Sequence, residues 1–185
     1  MTFARLVLAA ASNDPIPEPE DPEPPSNELA HSLVQYYMAN IHVLLPAFPE
    51  AAFTSIMDAI YQQEPRQLKS TDYWLFYMVL AISSAAQSRS NLDEFYANGV
   101  ELVSRAMPYA DRALMPGYAT QIQSLFLLTL YAMFDPAHFD SWHLIGFACR
   151  AVVDLGYHQD PPQLADKNAL DARRKTFYSV YALDR

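Results

Sequence analysis

The stretch Ser26–Ile60 reads SNELAHSLVQYYMANIHVLLPAFPEAAFTSIMDAI. Leu29, Leu33, Tyr36, Tyr37, Ile41 and Leu44 recur at three- and four-residue steps. That spacing lines apolar side chains along one face of an α-helix, whereas a strand would alternate them. Ser26 or Asn27 supplies a side-chain oxygen to cap the first turn, and Glu28 sits well at the positive end of the helix dipole. Pro46 stops this helix and Pro49 opens a second, which buries Phe53, Ile56, Met57 and Ile60 and is broken by Pro65.

The same period continues downstream. Thr71 is a candidate cap for a third helix, Tyr73 to Ala86, apolar nearly all round and therefore expected at the centre with neighbours on every side. A fourth follows Asn91, turns Phe95, Leu102 and Val103 inward and ends before Pro108. Tyr118 to Phe134 is a fifth, again strongly apolar, ended by Asp135-Pro136. Asp140 or Ser141 caps a sixth, Trp142 to Leu155, with Gly156 as its stop. The seventh starts near Asn168 and still runs at Arg185. Only 4 of 185 residues are Gly while 51% are hydrophobic, a mixture that favours long helices over a turn-rich sheet protein. The expected fold is all-α, an orthogonal multi-helix bundle of about seven helices. No 34-residue self-similarity suggests a repeat array.

Upstream of this period lies DPIPEPEDPEPP, Asp14 to Pro25, in which every residue but Ile16 is proline or acidic. Proline fixes φ and the carboxylates repel one another, so residues 1–27 read as a disordered N-terminal segment and linker, and 28–185 as the helical domain. Leu6 to Ala11 after Arg5 is shorter than a signal-peptide core, and Tyr73 to Ile82 is far short of the ~20 apolar residues that span a bilayer. The sequence reads as soluble and intracellular.

Charge and side-chain inventory then narrow the function. A net charge of -9 repels phosphate backbones and argues against nucleic-acid binding by this segment alone. Cys149, the single cysteine, forms no intrachain disulfide and suits a reducing compartment. On an apolar helix face beside Ile145 and Val153 it reads as a small hydrophobe rather than a nucleophile. His138, Asp140 and His143 lie close in sequence, but the histidines lack the i, i+4 spacing of a helical metal site; solvated or capping roles fit better. Glycine-rich phosphate loops and a nucleophile elbow are missing, so no catalytic, metal or cofactor-binding residues are assigned and the chain is read as a non-enzyme. Arg173-Arg174-Lys175 could touch phosphate, but nearby acids favour a solvated face or ion pairs.

The informative segment is WHLIGFACRAVVDLGYHQDPP, from Trp142, followed by DARRKTFYSVYALDR, ending at Arg185. Trp142, Gly146, Cys149 and Val153 share one side of the sixth helix, where Gly146 would let another backbone approach closely. Charged residues inside such apolar helices are tolerated when paired. Arg150, Asp154, Arg173, Arg174, Asp184 and Arg185 are therefore expected to form a buried network fixing the last two helices. This segment strongly resembles the signature of the fungal-specific transcription factor domain. In that family a Trp, a Gly, an Arg, an Asp-Leu-Gly and a His-x-Asp precede an Arg-Arg-x-x-Phe helix ending in Leu-Asp-Arg. The matching residues are Trp142, Gly146, Arg150, Asp154, Leu155, Gly156, His158, Asp160, Arg173, Arg174, Phe177, Leu183, Asp184 and Arg185. Leu33 to Phe53 and Tyr73 to Ser88 are similar to the family's opening and Ala-rich helices, so the likeness covers about 33–185. Tyr178 and Gln159 depart from it, where the family has Trp and a basic residue.

The resemblance implies the regulatory region of a nuclear, binuclear zinc-cluster transcription factor controlling RNA polymerase II transcription, with the signature residues in a structural role. It implies zinc and DNA binding only through an N-terminal six-cysteine module, which a chain with Cys149 alone does not hold. Protein partners or a small-molecule effector are implied, a membrane is not, and further helices are expected beyond Arg185. The alternative is a helical scaffold or protein-interaction domain without a direct transcriptional role.

Overall fold

A computed structural model describes residues 2–19, 23–62, 67–161 and 166–185. It is all-α. The helices are α1 Phe3–Ala11, α2 Asn27–Tyr37, α3 Glu50–Tyr61, α4 Ser70–Gln87, α5 Glu94–Ala106, the four-residue α6 Ala110–Ala113, α7 Ala119–Phe134, α8 Ser141–Asp154 and α9 Lys167–Asp184. The seven expected helices are present, with α1 and α6 in addition. Pro65, expected to break the second, lies outside the described residues; α3 ends at Tyr61.

Local chemistry sets most boundaries. Ser26 caps α2 by accepting from the Leu29 amide, and Asp140 caps α8 by accepting from those of Trp142 and His143. The expected cap at Thr71 gives way to Lys69, and the helix expected to follow Asn91 is capped by Asp93. Asp93 is the better N-cap because its carboxylate takes the Tyr96 amide at 2.8 Å, and those of Arg89 and Ser90 from the preceding turn.

The core is built around α4, whose residues Trp74 through Ala85 are all buried, as the all-round apolar pattern requires. It packs against α2, α3, α5, α6 and α7. Gly99 lies at the α4–α5 contact: a Cβ there would sit 3.4 Å from the Ala85 amide nitrogen and 3.5 Å from the Ala81 carbonyl, ordinary contact that leaves no room for a larger side chain. Ser84 Oγ, donating to the Phe95 carbonyl at 2.8 Å and accepting from Asn98 at 3.1 Å, ties the same two helices.

Three inward assignments fail. Leu29 and Phe95 are exposed, and Leu44 is 75% exposed. The reason for Leu44 is a π-helical turn, Met38–His42, that follows α2. Its wider turn rotates later residues off the stripe extrapolated from an α period.

The N-terminal segment is not unstructured throughout. Thr2 caps α1, which buries Ala4, Val7 and Ala11 and sets Phe3 edge-on against Phe147 of α8 at 6.1 Å. Backbone bonds from Asn13 and Asp14 to the carbonyls of His138 and Ala137, and from Asp140 to that of Ala11, dock the following residues on the α7–α8 corner. Nine residues make a marginal helix in water, so packing rather than propensity stabilises α1.

Candidate functional site

The signature segment folds as α8, a turn and α9, and its residues fall into two groups. The first group closes the end of α8. Gly156 adopts φ +68, a conformation glycine enters without steric cost. Its amide donates to the Val153 carbonyl at 2.9 Å, and the Tyr157 amide donates to that of Val152 at 2.8 Å, a Schellman closure. The guanidinium of Arg173 reaches back from α9, donating to the Leu155 carbonyl at 3.3 Å and to that of Gly156 over a short contact. It also lies 4.1 Å from the Tyr157 ring centroid. A cation is favourable at this position, where the helix dipole is negative and terminal carbonyls lack intrahelical partners. The next residue, Arg174, grips Asp160 in two places, Nε to Oδ1 at 3.1 Å and Nη2 to Oδ2 at 2.5 Å. That bond, ahead of a counteracting desolvation, holds the Asp160 carboxyl below its ordinary value. Phe177, partly buried, packs on the core, and buried Ser179 donates to the Pro46 carbonyl at 3.1 Å.

The second group faces outward. Trp142 is 73% exposed, and outside its own helix Gly146 has no described atom within 4 Å of where a Cβ would stand, so no other described backbone approaches it. Val153, Arg150, Asp154 and His158 are exposed as well. Trp142, Ile145, Gly146 and Arg150 line a groove of about 740 Å³ with Phe3 of α1, Met133 of α7, and Leu183 and Asp184 of α9. The thiol of Cys149, beside it, is pushed up to about 11 by burial first and by the Asp184 carboxylate second. Arg185 sits 5.1 Å from the centroid of the Tyr181 ring.

The six charges therefore do not form one buried network. Arg150, Asp154, Asp184 and Arg185 are exposed, and neither Arg150 nor Asp154 has an ion pair among the described residues. Arg173 uses main-chain carbonyls and an aromatic face instead of a carboxylate. The contribution of Tyr157 was not singled out by sequence; its place immediately after a helix-stopping glycine is the local signal that it belongs to the closure.

Of the remaining sequence candidates Asp140 is a cap, His143 supports it, and His138 is instead a mostly buried partner of Asp135. His143 pairs with the cap residue Asp140 at 2.7 Å, and His138 pairs with Asp135 at 2.7 Å. Among the described residues no group of three or more His, Cys, Asp or Glu side chains could hold a metal ion, and no helix is long and apolar enough to cross a membrane.

The family described as fungal specific transcription factor domain matches residues 34–185. The chain is 25% identical over 183 residues to a negative regulator of pleiotropic drug resistance from Candida glabrata, covering 91% of this chain and 18% of that protein. It is 27% identical over 162 residues to an uncharacterized transcriptional regulatory protein of Schizosaccharomyces pombe, covering 86% of this chain and 27% of the other. With a positive regulator of purine utilization from Emericella nidulans it shares 21% identity over 163 residues, covering 74% and 15%. The chain thus spans between 15% and 27% of the length of these three relatives. No solved structure gives a significant match.

Proposed function

Because this chain belongs to the fungal specific transcription factor domain family, we propose that it is the regulatory region of a fungal transcriptional regulator and acts in the nucleus on RNA polymerase II transcription. The observation that carries this reading is the match over 34–185, which includes the whole α8–α9 signature. Relatives named as transcriptional regulators support it. DNA contact would come from a separate zinc-cluster module. A net charge of -9 suits a segment that works through protein surfaces or an effector rather than on phosphate.

Within the region the signature has two roles. Leu155, Gly156, Asp160, Arg173 and Arg174 set the angle at which α9 leaves α8. Trp142, Gly146 and Arg150 form the outward face through which regulation is transmitted.

The test tethers residues 1–185 to a heterologous DNA-binding module in yeast and reads a reporter under that module's site. A several-fold change relative to the module alone is expected. Output equal to the module alone, with the fusion present at the same level, would overturn the reading.

A further inference from the structure

The corner between α2 and α3 bears local costs that its position in the fold does not explain. The π-helical turn Met38–His42 leads into Pro46 and Pro49, with Ala47 and Phe48 buried between them. Phe48 stacks on Tyr37 at 5.8 Å and on Phe53 at 5.4 Å, and its ring lies 4.9 Å from that of His42. The Tyr37 hydroxyl and His42 Nδ1 are buried in this stack without a hydrogen-bond partner among the described residues. A buried polar group without a partner is destabilising, and π-helical turns are frequent at functional sites.

Opposite this wall stands the N-terminal half of α9. Asn168, Asp171, Ala172, Lys175 and Thr176 share one face by their spacing, yet the buried residues of α9 are Ser179 and Val180, at its other end. The helix is pinned there by the Ser179 bond to the Pro46 carbonyl and stands off the corner, leaving a cleft of about 360 Å³. That volume lies within the range of small-molecule sites.

The charges lining the cleft select the ligand. Lys175 is bonded to Asp171 at 2.7 Å, so that pair adds no net charge to the cleft, whereas Glu50 has no ion pair among the described residues. Burial, opposed by Glu50 and aided by Lys175, holds the His42 imidazole below its ordinary value, so it is neutral at pH 7. The cleft therefore presents one unpaired carboxylate beside an aromatic and proline wall, in a chain of net charge -9.

We propose that this cleft binds a small organic cation, a protonated amine on an apolar aromatic body, with the ammonium at Glu50 and the body against Phe48 and Pro46. The inference is tested on the purified chain, so its failure is distinct from failure of the reporter experiment. 2-Phenylethylamine is titrated into the full chain and followed by NMR at the Ala47 and Ala172 methyls and the His42 ring; 3-phenylpropionate is the anionic control. Saturable shifts with the amine and none with the acid are expected. Glu50→Gln, at an exposed position, should weaken binding at least fivefold, and Ala172→Phe, which fills the cleft from the exposed side of α9, should abolish it. Absence of saturable shifts, equal shifts with the acid, or unchanged affinity in the folded Glu50→Gln protein would each overturn the proposal.

Discussion

Replacing Asp135 by alanine tests the most concentrated polar arrangement in the core. Its side chain is wholly buried. Oδ1 accepts from the Tyr96 hydroxyl at 2.8 Å, and Oδ2 accepts from the Tyr131 hydroxyl at 2.8 Å and from His138 Nδ1 at 2.7 Å. A carboxylate only accepts, so His138 carries its proton on Nδ1. Burial and this carboxylate both push the Tyr131 hydroxyl upward, and Tyr96 is pushed up to about 12, chiefly by burial and then by its bond to Asp135. Three elements meet at one carboxylate: α5 through Tyr96, the end of α7 through Tyr131, and the α7–α8 corner through His138.

Asp135→Ala orphans three donors. Tyr131 is 1% exposed, so its hydroxyl cannot reach water and bears the desolvation penalty of roughly 1–3 kcal/mol. Tyr96 and His138 are partly exposed and regain solvent, losing about 1 kcal/mol each. The expected loss is about 3–5 kcal/mol. For 185 residues the unfolding entropy is about 0.4 kcal/mol per kelvin, so the midpoint should fall by about 8–13 °C. Thermal and urea unfolding followed by circular dichroism measure this directly. A double-mutant cycle isolates the principal bond: in a Tyr131→Phe background the cost should shrink by about 1–2 kcal/mol, because the orphaned hydroxyl is gone. A midpoint within about 2 °C of wild type, or a coupling below about 0.5 kcal/mol, would refute the reasoning.

The two mid-helix glycines should respond oppositely. Gly99→Val drives carbon into the α4–α5 contact and should cost about 1–3 kcal/mol in urea unfolding, whereas Gly146→Ala meets open space and should stabilise by about 0.5–1 kcal/mol. Arg173→Ala strips the end of α8 of its cation and should cost about 1.5–3 kcal/mol. Arg150→Ala and Asp154→Ala should stay within about 0.5 kcal/mol of wild type, and a loss above 2 kcal/mol at either would restore the buried network. His42 has a folded pKa below the ordinary 6.5, so as pH falls the unfolded chain takes up its proton first. Stability from this group is therefore complete above about pH 6.5 and declines below it, and His42→Gln should flatten that part of a stability–pH curve; an unchanged slope would remove His42 as its source.

Features that depend on near neighbours were legible in the sequence. The caps at Ser26 and Asp140, the stop at Gly156 and the buried centre Trp74–Ala85 each follow from local hydrogen bonding or from apolar period. Features set by distant partners were not. Asp135 reads as half of a helix-ending Asp-Pro pair, and nothing near it announces Tyr96, 39 residues away. The helix α1 buries small residues, Ala4 and Ala11, whose periodicity is too weak to separate from a featureless apolar run. Counting charges in the signature also misled, because it admits only side chains as partners. Arg173 is held by the carbonyls of Leu155 and Gly156, which every sequence has and no count includes, while its buried Nε has no partner among the described residues.

The same distinction separates the two halves of the signature. Gly156, Arg173 and Arg174 are accounted for inside this chain: positive φ, terminal carbonyls and the Asp160 carboxylate each require what stands there. Trp142 and Gly146 are not. An exposed indole buries little apolar surface, and a glycine in open space destabilises its helix by about 1 kcal/mol relative to alanine. Where a sequence departs from local preference without a compensating contact, function is the first explanation to test. Stability and output are thus separable at this face. Gly146→Ala should raise the unfolding midpoint, and bulkier Gly146→Leu, whose Cβ meets no described atom of another element within 4 Å, should leave the fold intact while changing reporter output. If Gly146→Leu left output unchanged at equal protein level, the outward face would have no part in regulation.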